Sequence, residues 1–240
     1  MNLDDLDRFK QLDTLNMLGE IDNLPDQLGY AYQLGLKHKL PDWQDFKHVL
    51  IAGMGGSIIG ADLLAAYCAS LSPIPVSVHR DYDLPLFARG AETLVICISH
   101  SGDTEETLSA FEAARKAECH IVAICSAGEL ARRAQSHNIP VWTFDHAGKA
   151  SSAIGFSFGL LLAMFQRLGF IPDQKAPVDD AVAAMKRSQG YLKADVIAAK
   201  NPAKRYAGQL IGRWVTIMGS GLTAPVARRW KGQLNEIAKA

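Results

Sequence analysis

A glycine-rich segment, residues 53–57 (GMGGS), follows the apolar run 48–52 (HVLIA) and precedes a stretch with helical spacing. Glycines at a strand-to-helix turn let the backbone approach a ligand closely, and the first amide groups of a helix bind anions. We therefore predict that Gly55, Gly56 and Ser57 contact a phosphate group. The alternative is a tight turn between strand and helix that binds no ligand.

A second polar segment, residues 99–107 (SHSGDTEET), also lies where a predicted strand ends and a helix begins. Hydroxyl and amide donors at a helix N-terminus can hold a dianionic phosphate without lysine or arginine. The candidate phosphate-binding residues in this segment are Ser99, Ser101, Gly102 and Thr104.

The same segment also fits ordinary helix capping. Asp103 followed three residues later by Glu106 matches the capping-box pattern. Capping and anion binding are compatible, because a capped helix N-terminus still leaves other amide groups free.

Neither segment fits a nucleotide-binding motif. Counting from Gly53, the third glycine of the dinucleotide fingerprint would fall on Ile58, and no Gly-Lys-Ser/Thr sequence follows to make a Walker A loop. The acidic residue expected after the second strand is unclear, since Asp81 and Asp83 lie in a predicted loop. A nucleotide-binding Rossmann enzyme is therefore disfavoured, and we predict no cofactor.

The histidines and cysteines do not have the spacing of metal ligands. No HExxH sequence and no paired Cys/His cluster occurs, so we predict no metal. The histidines outside the second polar segment are His38, His48, His79, His120, His137 and His146.

Composition limits the class of partner. The 240 residues carry 25 acidic and 25 basic side chains, so no general positive field exists to hold nucleic acid or an anionic membrane. The N-terminus is acidic and amphipathic, unlike a signal peptide, and no apolar run reaches the roughly 18 residues of a membrane span. The four cysteines form no CxxC pair, which fits a reducing compartment. We predict a cytoplasmic protein without nucleic-acid or membrane partners.

Short apolar runs alternate with amphipathic stretches through the middle of the chain. Predicted strands cover 48–52, 76–79, 94–98, 121–124 and 141–144, and predicted helices cover 57–70, 104–118, 129–136 and 154–168. The runs are continuous and rich in Val and Ile, which is typical of parallel strands buried on both faces. Right-handed crossovers then give a three-layer, doubly wound, flavodoxin-like α/β fold with a five-stranded parallel sheet. Ligands on such sheets bind at the carboxyl ends of the strands, where both polar segments lie.

The main domain is predicted to span residues 41–170. Residues 1–40 have helical spacing and are predicted to form an N-terminal arm that packs on this domain or on a partner subunit. Pro25 indicates a break between two helices at 22–26.

The last part of the chain is predicted to hold a helical connector and a second unit. Residues 171–212 form the connector, which is clearest at 179–200. Residues 213–240 repeat the earlier pattern, with a strand at 214–218 (WVTIM), then GSGL, then a helix at 224–239. This pattern predicts the beginning of a second, apparently incomplete copy of the fold. Either the natural protein continues or the segment pairs with another part of the structure.

The two polar segments together resemble the SIS (sugar isomerase) domain, in which an S-x-S-G-x-T loop binds the phosphate of a phosphosugar. Three further motifs resemble the bifunctional phosphoglucose/phosphomannose isomerase family: 82–85 (YDLP), 153–159 (AIGFSFG) and 230–236 (WKGQLNE). The resemblance covers the chain from about residue 45 to its end. It implies a small-molecule sugar-phosphate substrate and a homodimer with sites near the subunit interface.

The resemblance also implies catalytic roles. The family's reaction is aldose–ketose isomerisation, in which a glutamate moves a proton between carbons 1 and 2 through an enediol(ate), and this base falls on Glu236. The family arginine that stabilises the enediolate falls on Ser151, with the cationic Lys149 nearby. His100, inside the phosphate loop, is a further candidate. The family histidine that helps to open the sugar ring lies beyond the glutamate, and this chain ends before that position, at Ala240.

Two functions follow from these features. The leading one is a phosphosugar isomerase that interconverts glucose 6-phosphate or mannose 6-phosphate with fructose 6-phosphate. The alternative is a non-catalytic phosphosugar-binding or sensing module, which is favoured by Ser151 in the arginine position.

Overall fold

The computed structural model describes residues 2–239. Within them, five parallel strands form one sheet in the order β2-β1-β3-β4-β5. The strands are β1 His48–Gly53, β2 Val76–His79, β3 Thr93–Ile98, β4 His120–Cys125 and β5 Val141–Thr143. The chain enters at β1, crosses to one edge at β2, returns to β3 and then adds β4 and β5 outward. The predicted five-stranded parallel sheet is confirmed.

Helices cover both faces of this sheet, which confirms the three-layer α/β architecture. One face packs against α2 (Met17–Lys37), α3 (Ile59–Cys68) and α6 (Ile154–Arg167), and the other against α4 (Glu105–Lys116) and α5 (Gly128–Ser136). The side chains of β3 alternate between the two cores: Leu94 and Ile96 join the first, and Val95 and Cys97 the second. Burial on both faces explains why the sequences of the inner strands β1, β3 and β4 are largely apolar, whereas the edge strand β2 (VSVH) is less buried.

Helix α2 runs through Pro25 without interruption, so the predicted break at 22–26 is wrong. A proline inside a helix costs about 3 kcal/mol or more. The buried side of α2, which includes Leu28 and Tyr32, packs against α6, and burying each such side chain stabilises the fold by about 1.5–3 kcal/mol. The break lies earlier, before α2 begins, where the carboxylate of Asp13 accepts hydrogen bonds from the first two amide groups of the helix.

The part of the chain after α6 is helical, with α7 (Lys175–Leu192), α8 (Pro202–Leu210) and α9 (Ala224–Gly232). Helix α7 ends at Leu192, so the predicted helix over 179–200 is too long at its C-terminal end. A short helix, α1 (Leu6–Leu12), precedes α2. Each helix within residues 2–239 is too short or too polar to cross a bilayer.

The predicted strand at 214–218 is not present. None of the described strands pairs with this segment, and Trp214 and Met218 are 95% and 87% exposed. A parallel strand needs neighbours for its backbone groups and its apolar side chains, and none lies beside this segment. The helix predicted at 224–239 begins as α9 and continues as a five-residue π-helical turn, Gln233–Ile237.

Candidate functional site

The two polar segments meet where β1 and β3 end. These strands are neighbours in register, with Gly53 opposite Ile98. Just beyond them, the amide group of His100 donates a hydrogen bond to Oγ of Ser57, at 3.1 Å. Residues 53–57 and 99–104 therefore form one continuous surface at the carboxyl end of the sheet.

The side chain of Ser99 forms hydrogen bonds within the second loop. Its side chain is buried, and its Oγ accepts a hydrogen bond from the amide of Gly102 at 3.0 Å. The Ser99 Oγ atom also lies 2.9 Å from Oγ1 of Thr104, and either hydroxyl can be the donor of this hydrogen bond. Ser99 thus fixes the curvature of the loop and the position of the Thr104 hydroxyl.

Gly102 is required by its backbone geometry. Its φ is +83°, a backbone conformation that is unfavourable for residues other than glycine. A Cβ atom at this position would lie 1.9 Å from the carbonyl oxygen of Ala127. The loop and the start of α5 can approach each other only because Gly102 has no side chain.

The open donors of the second loop belong to Ser101 and Thr104. Ser101 is exposed and Thr104 half-buried, and their backbone amides have no acceptor within the described part of the chain. Helix α4 begins one residue later, at Glu105, and its N-terminus adds a partial positive charge. Amide groups, hydroxyls and a helix N-terminus together make a surface suited to an anion.

The first loop forms a short 3-10 turn, Gly55–Ile58, with Gly55 at a φ of +53°. A Cβ atom on Gly56 would lie 2.7 Å from the backbone nitrogen and Cα of Ser151. The absence of a side chain at Gly56 therefore brings a third segment, the turn Ala150–Ser152, against the loop. The turn thus combines a positive φ at Gly55 with close backbone packing at Gly56.

Arg229 reaches the position of Ser151 from α9. Its Nη1 donates a hydrogen bond to the carbonyl oxygen of Ser151 at 3.0 Å, and burial lowers the pKa of its guanidinium. Lys149, the cation predicted for this place, is exposed and forms no ion pair among residues 2–239. Its carbonyl oxygen instead accepts hydrogen bonds from Ser152. Arg229 was not among the predicted site residues, although it directly precedes the WKGQLNE motif.

Asp103 caps a different helix from the one predicted. The N-cap of α4 is Thr104, and its side chain makes no capping hydrogen bond, so the predicted capping box is wrong. Oδ1 of Asp103 accepts a hydrogen bond from the amide of Glu129 at 2.9 Å, in the first turn of α5. The loop follows this path because Gly102 turns Asp103 towards α5, and the amides at the start of α4 remain uncapped by side chains.

His100 belongs to a chain of three hydrogen-bonded side chains. Its Nε2 lies 2.9 Å from Nδ1 of His146, and Nε2 of His146 lies 2.9 Å from Oε2 of Glu20. Burial, and then the neighbouring His146, lower the pKa of His100. Neither Glu20 nor His146 was a predicted site residue, and no local spacing could have revealed a contact between residues so far apart in sequence.

Glu236 lies apart from this surface. Its side chain is exposed in the π-helical turn after α9. A cavity of about 560 Å³ opens between α2, α9 and the turn at 150–152, and Glu236 does not line it. The polar residues that line the cavity are Glu20, Ser152, Arg229 and Gln233. The hydrogen bond between His100 and Ser57 thus joins the two predicted phosphate loops, and none of the hydrogen bonds among residues 2–239 links Glu236 to them.

Within 2–239 there is no group of three or more His, Cys, Asp or Glu side chains placed to hold a metal ion. The His100–His146–Glu20 chain is occupied by its own hydrogen bonds.

Two family models match parts of this chain. A family model described as the SIS domain matches residues 44–166, and one described as the bacterial phospho-glucose isomerase C-terminal SIS domain matches residues 199–240. The bifunctional phosphoglucose/phosphomannose isomerase of Caldicellulosiruptor bescii is 37% identical over 226 residues, which are 93% of this chain and 66% of the relative. The protein of the same name from Aquifex aeolicus is 31% identical over 213 residues, 88% of this chain and 62% of the relative. The chain therefore spans a little under two thirds of the length of these relatives.

Solved structures show the same fold at low sequence identity. The C-terminal domain of glucosamine-fructose-6-phosphate aminotransferase from Francisella tularensis superposes with a TM-score of 0.62 at 18% identity, over 93% of this chain and 67% of that one. Tagatose-6-phosphate ketose/aldose isomerase from Escherichia coli gives a TM-score of 0.59 at 17% identity, over 91% and 62%. Since the SIS domain model matches more than half of the chain and the fold agrees, this chain belongs to the SIS domain family.

Proposed function

We propose that this protein is a phosphosugar isomerase that interconverts glucose 6-phosphate or mannose 6-phosphate with fructose 6-phosphate. The observation that carries the proposal is the junction of the two loops at Ser57 and His100, which joins two donor-rich segments into one anion-binding surface. The names of the relatives from Caldicellulosiruptor bescii and Aquifex aeolicus support the same substrates.

The phosphate is held in this proposal by neutral donors. The proposed donors are the hydroxyl and amide groups of Ser101 and Thr104, the turn at Gly55 and Gly56, and the N-terminus of α4. Neither loop contains lysine or arginine, and the chain has zero net charge. Specific hydrogen-bond geometry, more than a general positive field, then selects a phosphate monoester.

The chemical step moves a proton between carbons 1 and 2 of the open-chain sugar. We propose Glu236 as the base and an enediol(ate) as the intermediate, on the strength of the WKGQLNE motif. The exposed position of Glu236 requires that the segment after α9 come closer to the phosphate loops when the sugar is bound. Arg229, half-buried beside Ser151, supplies a guanidinium that can stabilise negative charge on the intermediate.

A homodimer in the cytoplasm completes the proposal. The exposed apolar side chains of Trp214 and Met218 lie on the segment that resembles the start of a second unit, and they favour association with further protein surface. Sedimentation of the purified chain at several concentrations would test this. A single monomeric species throughout would remove the dimer from the account.

The alternative is a phosphosugar-binding module without catalysis. It is favoured by the serine at position 151 and by the exposure of Glu236. Calorimetric titration with fructose 6-phosphate and with fructose, followed by assay of the same samples for glucose 6-phosphate and mannose 6-phosphate, separates the two functions. Binding that needs the phosphate and is accompanied by turnover supports the isomerase. Binding of fructose 6-phosphate with no aldose product supports the binding module, and equal affinity for fructose contradicts both.

A further inference from the structure

A buried carboxylate lies where three segments of the chain meet. Asp62, in the first turn of α3, has a side chain that is only 8% exposed. Its Oδ2 atom accepts hydrogen bonds from Nη2 of Arg80 and from Nη1 of Arg228, the latter at 2.8 Å. The two arginine side chains are more exposed than the carboxylate, at 31% and 56%. This group of three side chains is called the ionic junction below.

Each member of the ionic junction lies close in sequence to a different motif. Asp62 comes five residues after Ser57, at the end of the first phosphate loop. Arg80 comes two residues before the YDLP motif, and Arg228 comes two residues before WKGQLNE. The ionic junction therefore ties together three segments that are distant in sequence and that each adjoin a motif of the isomerase resemblance.

The charges of the ionic junction make its geometry specific. A hydrogen bond between two charged groups is roughly twice as strong as one between neutral groups. A buried carboxylate needs such partners, because an unpaired charge is costly to remove from water. Both guanidinium groups donate to the same oxygen, so the carboxylate also offsets the repulsion between two nearby positive charges. The positions of Arg80 and Arg228 therefore depend on Asp62.

Helix α9 is held at two consecutive residues. Arg228 reaches Asp62 on α3, and Arg229 donates to the carbonyl oxygen of Ser151 at 3.0 Å. The turn that contains Ser151 packs closely against Gly56 in the first phosphate loop. The hydrogen bond of Arg229 can form only while α9 keeps this place, so the bond from Arg228 to Asp62 helps to set where the Arg229 guanidinium lies.

We propose that Asp62 is a positioning residue for the isomerase reaction: through Arg228 it holds α9 so that Arg229 stays where it can stabilise negative charge on the intermediate. This inference rests on the proposed function, in which Arg229 acts on the enediol(ate). Asp62 acts through other residues and not on the reacting carbons. A catalytic group misplaced by about 1 Å can lower the rate about 100-fold, so a distant anchor of this kind has a measurable effect on the chemical step.

The kinetic test is Arg228→Gln, which removes the link to α9 and leaves the carboxylate paired with Arg80. We expect kcat for conversion of fructose 6-phosphate to fall about 100-fold, because Arg229 is no longer held in place. The dissociation constant of fructose 6-phosphate, measured by calorimetry, should stay within about twofold, since the phosphate loops are unchanged. Arg228→Lys keeps a cation within reach of Asp62 and should recover part of the loss. Equal losses in kcat and affinity would overturn the positioning role.

Two further comparisons separate positioning from general damage. Arg132→Gln makes the same substitution in an exposed ion pair with Glu129 on α5, and it should keep the wild-type kcat and affinity. The double variant Asp62→Asn/Arg228→Gln should lose no more kcat than Asp62→Asn alone, because both changes break the same link. Losses that multiply would show that the two residues act independently, and would overturn the proposal.

Hydrogen–deuterium exchange tests the anchor without any assay of activity. In Arg228→Gln, the amides of α9 should exchange about 10-fold faster, because a hydrogen bond between charged groups is lost, while those of α5 stay unchanged. Unchanged exchange in α9 overturns the proposal. If α9 exchanges faster but the wild-type protein forms no aldose phosphate, the isomerase function fails while the anchoring of α9 stands. If the wild type isomerises and Arg228→Gln keeps its kcat, the positioning role fails and the function stands.

Discussion

The amide of His100 donates to the hydroxyl of Ser57 across the carboxyl ends of two neighbouring strands, at 3.1 Å. This bond fixes the distance between two loops that are far apart in sequence. In this bond the Oγ atom of Ser57 is the acceptor, so the hydroxyl proton of Ser57 can still be donated to another group. Ser57 thus has a structural partner in His100, and in the proposed function its hydroxyl proton is available to the phosphate.

Replacement of Ser57 by alanine should weaken phosphosugar binding. The amide of His100 loses its acceptor and the ligand loses a donor, at a cost of about 1–3 kcal/mol. Calorimetric titration with fructose 6-phosphate should therefore give a dissociation constant raised by about 5- to 150-fold. Ser136→Ala, at an exposed hydroxyl on α5, is the control and should bind as the wild type does. An unchanged affinity in folded Ser57→Ala would place the phosphate elsewhere.

Ser99 and Ser101 should differ in what their loss affects. Ser99→Ala leaves the amide of Gly102 buried without its acceptor, so the free energy of unfolding should fall by about 1–3 kcal/mol. Ser101→Ala removes an exposed hydroxyl and should change stability by less than about 0.5 kcal/mol while weakening binding. Urea unfolding of both variants measures the first effect. Equal losses of stability would contradict the division of roles between them.

Gly102 and Gly90 can be compared to separate the cost of a positive φ from the cost of a steric clash in the second loop. Both have positive φ, +83° and +71°, but a Cβ atom at Gly90 meets nothing within 4 Å. Gly90→Ala should therefore cost only the backbone strain, about 1–2 kcal/mol. Gly102→Ala adds the clash with the carbonyl of Ala127, and overpacking of this kind costs about 1–3 kcal/mol more. Thermal and urea unfolding should rank the two in this order, and equal stability would mean that the loop moves freely away from α5.

Arg229 and Lys149 are the two candidates for the cation near Ser151 that stabilises negative charge on the intermediate. Because the guanidinium is half-buried and hydrogen-bonded there, Arg229→Gln should lower kcat for isomerisation by about 10²- to 10³-fold, as loss of a charge-stabilising donor does. Lys149→Gln, at an exposed side chain, should have a much smaller effect. Steady-state assays with fructose 6-phosphate as substrate decide between them. A larger loss in the lysine variant would restore the assignment made from the sequence.

The central domain could be predicted from sequence because its signals are local. Strands β1, β3 and β4 are largely apolar runs that end at Gly53 or are followed by Ser99 and Ser126, and burial on two faces imposes that pattern where a parallel sheet is covered by helices. The positions of Ser57 and Ser101 at strand ends follow from the same rule. The ends of β1 and β3 were therefore placed correctly before any side-chain contact was known.

The remaining features depend on contacts between distant residues. Pro25 predicts a break by local chemistry, but packing of α2 against α6 outweighs it. The run at 214–218 has the composition of a strand, and no described strand lies beside it. The series of Glu20, His146 and His100 joins residues with no periodic relationship, so no pattern in the sequence could indicate it.

The most direct test of the account is proton NMR of fructose 6-phosphate incubated with the protein in deuterated water. An enediol(ate) mechanism exchanges the transferred proton with solvent, so we predict deuterium at carbon 1 of the ketose and the appearance of glucose 6-phosphate and mannose 6-phosphate. Glu236→Gln should abolish the incorporation and keep binding nearly intact. Broadened sugar signals with no deuterium and no aldose, from the wild-type protein, would contradict the isomerase and leave a phosphosugar-binding module in its place.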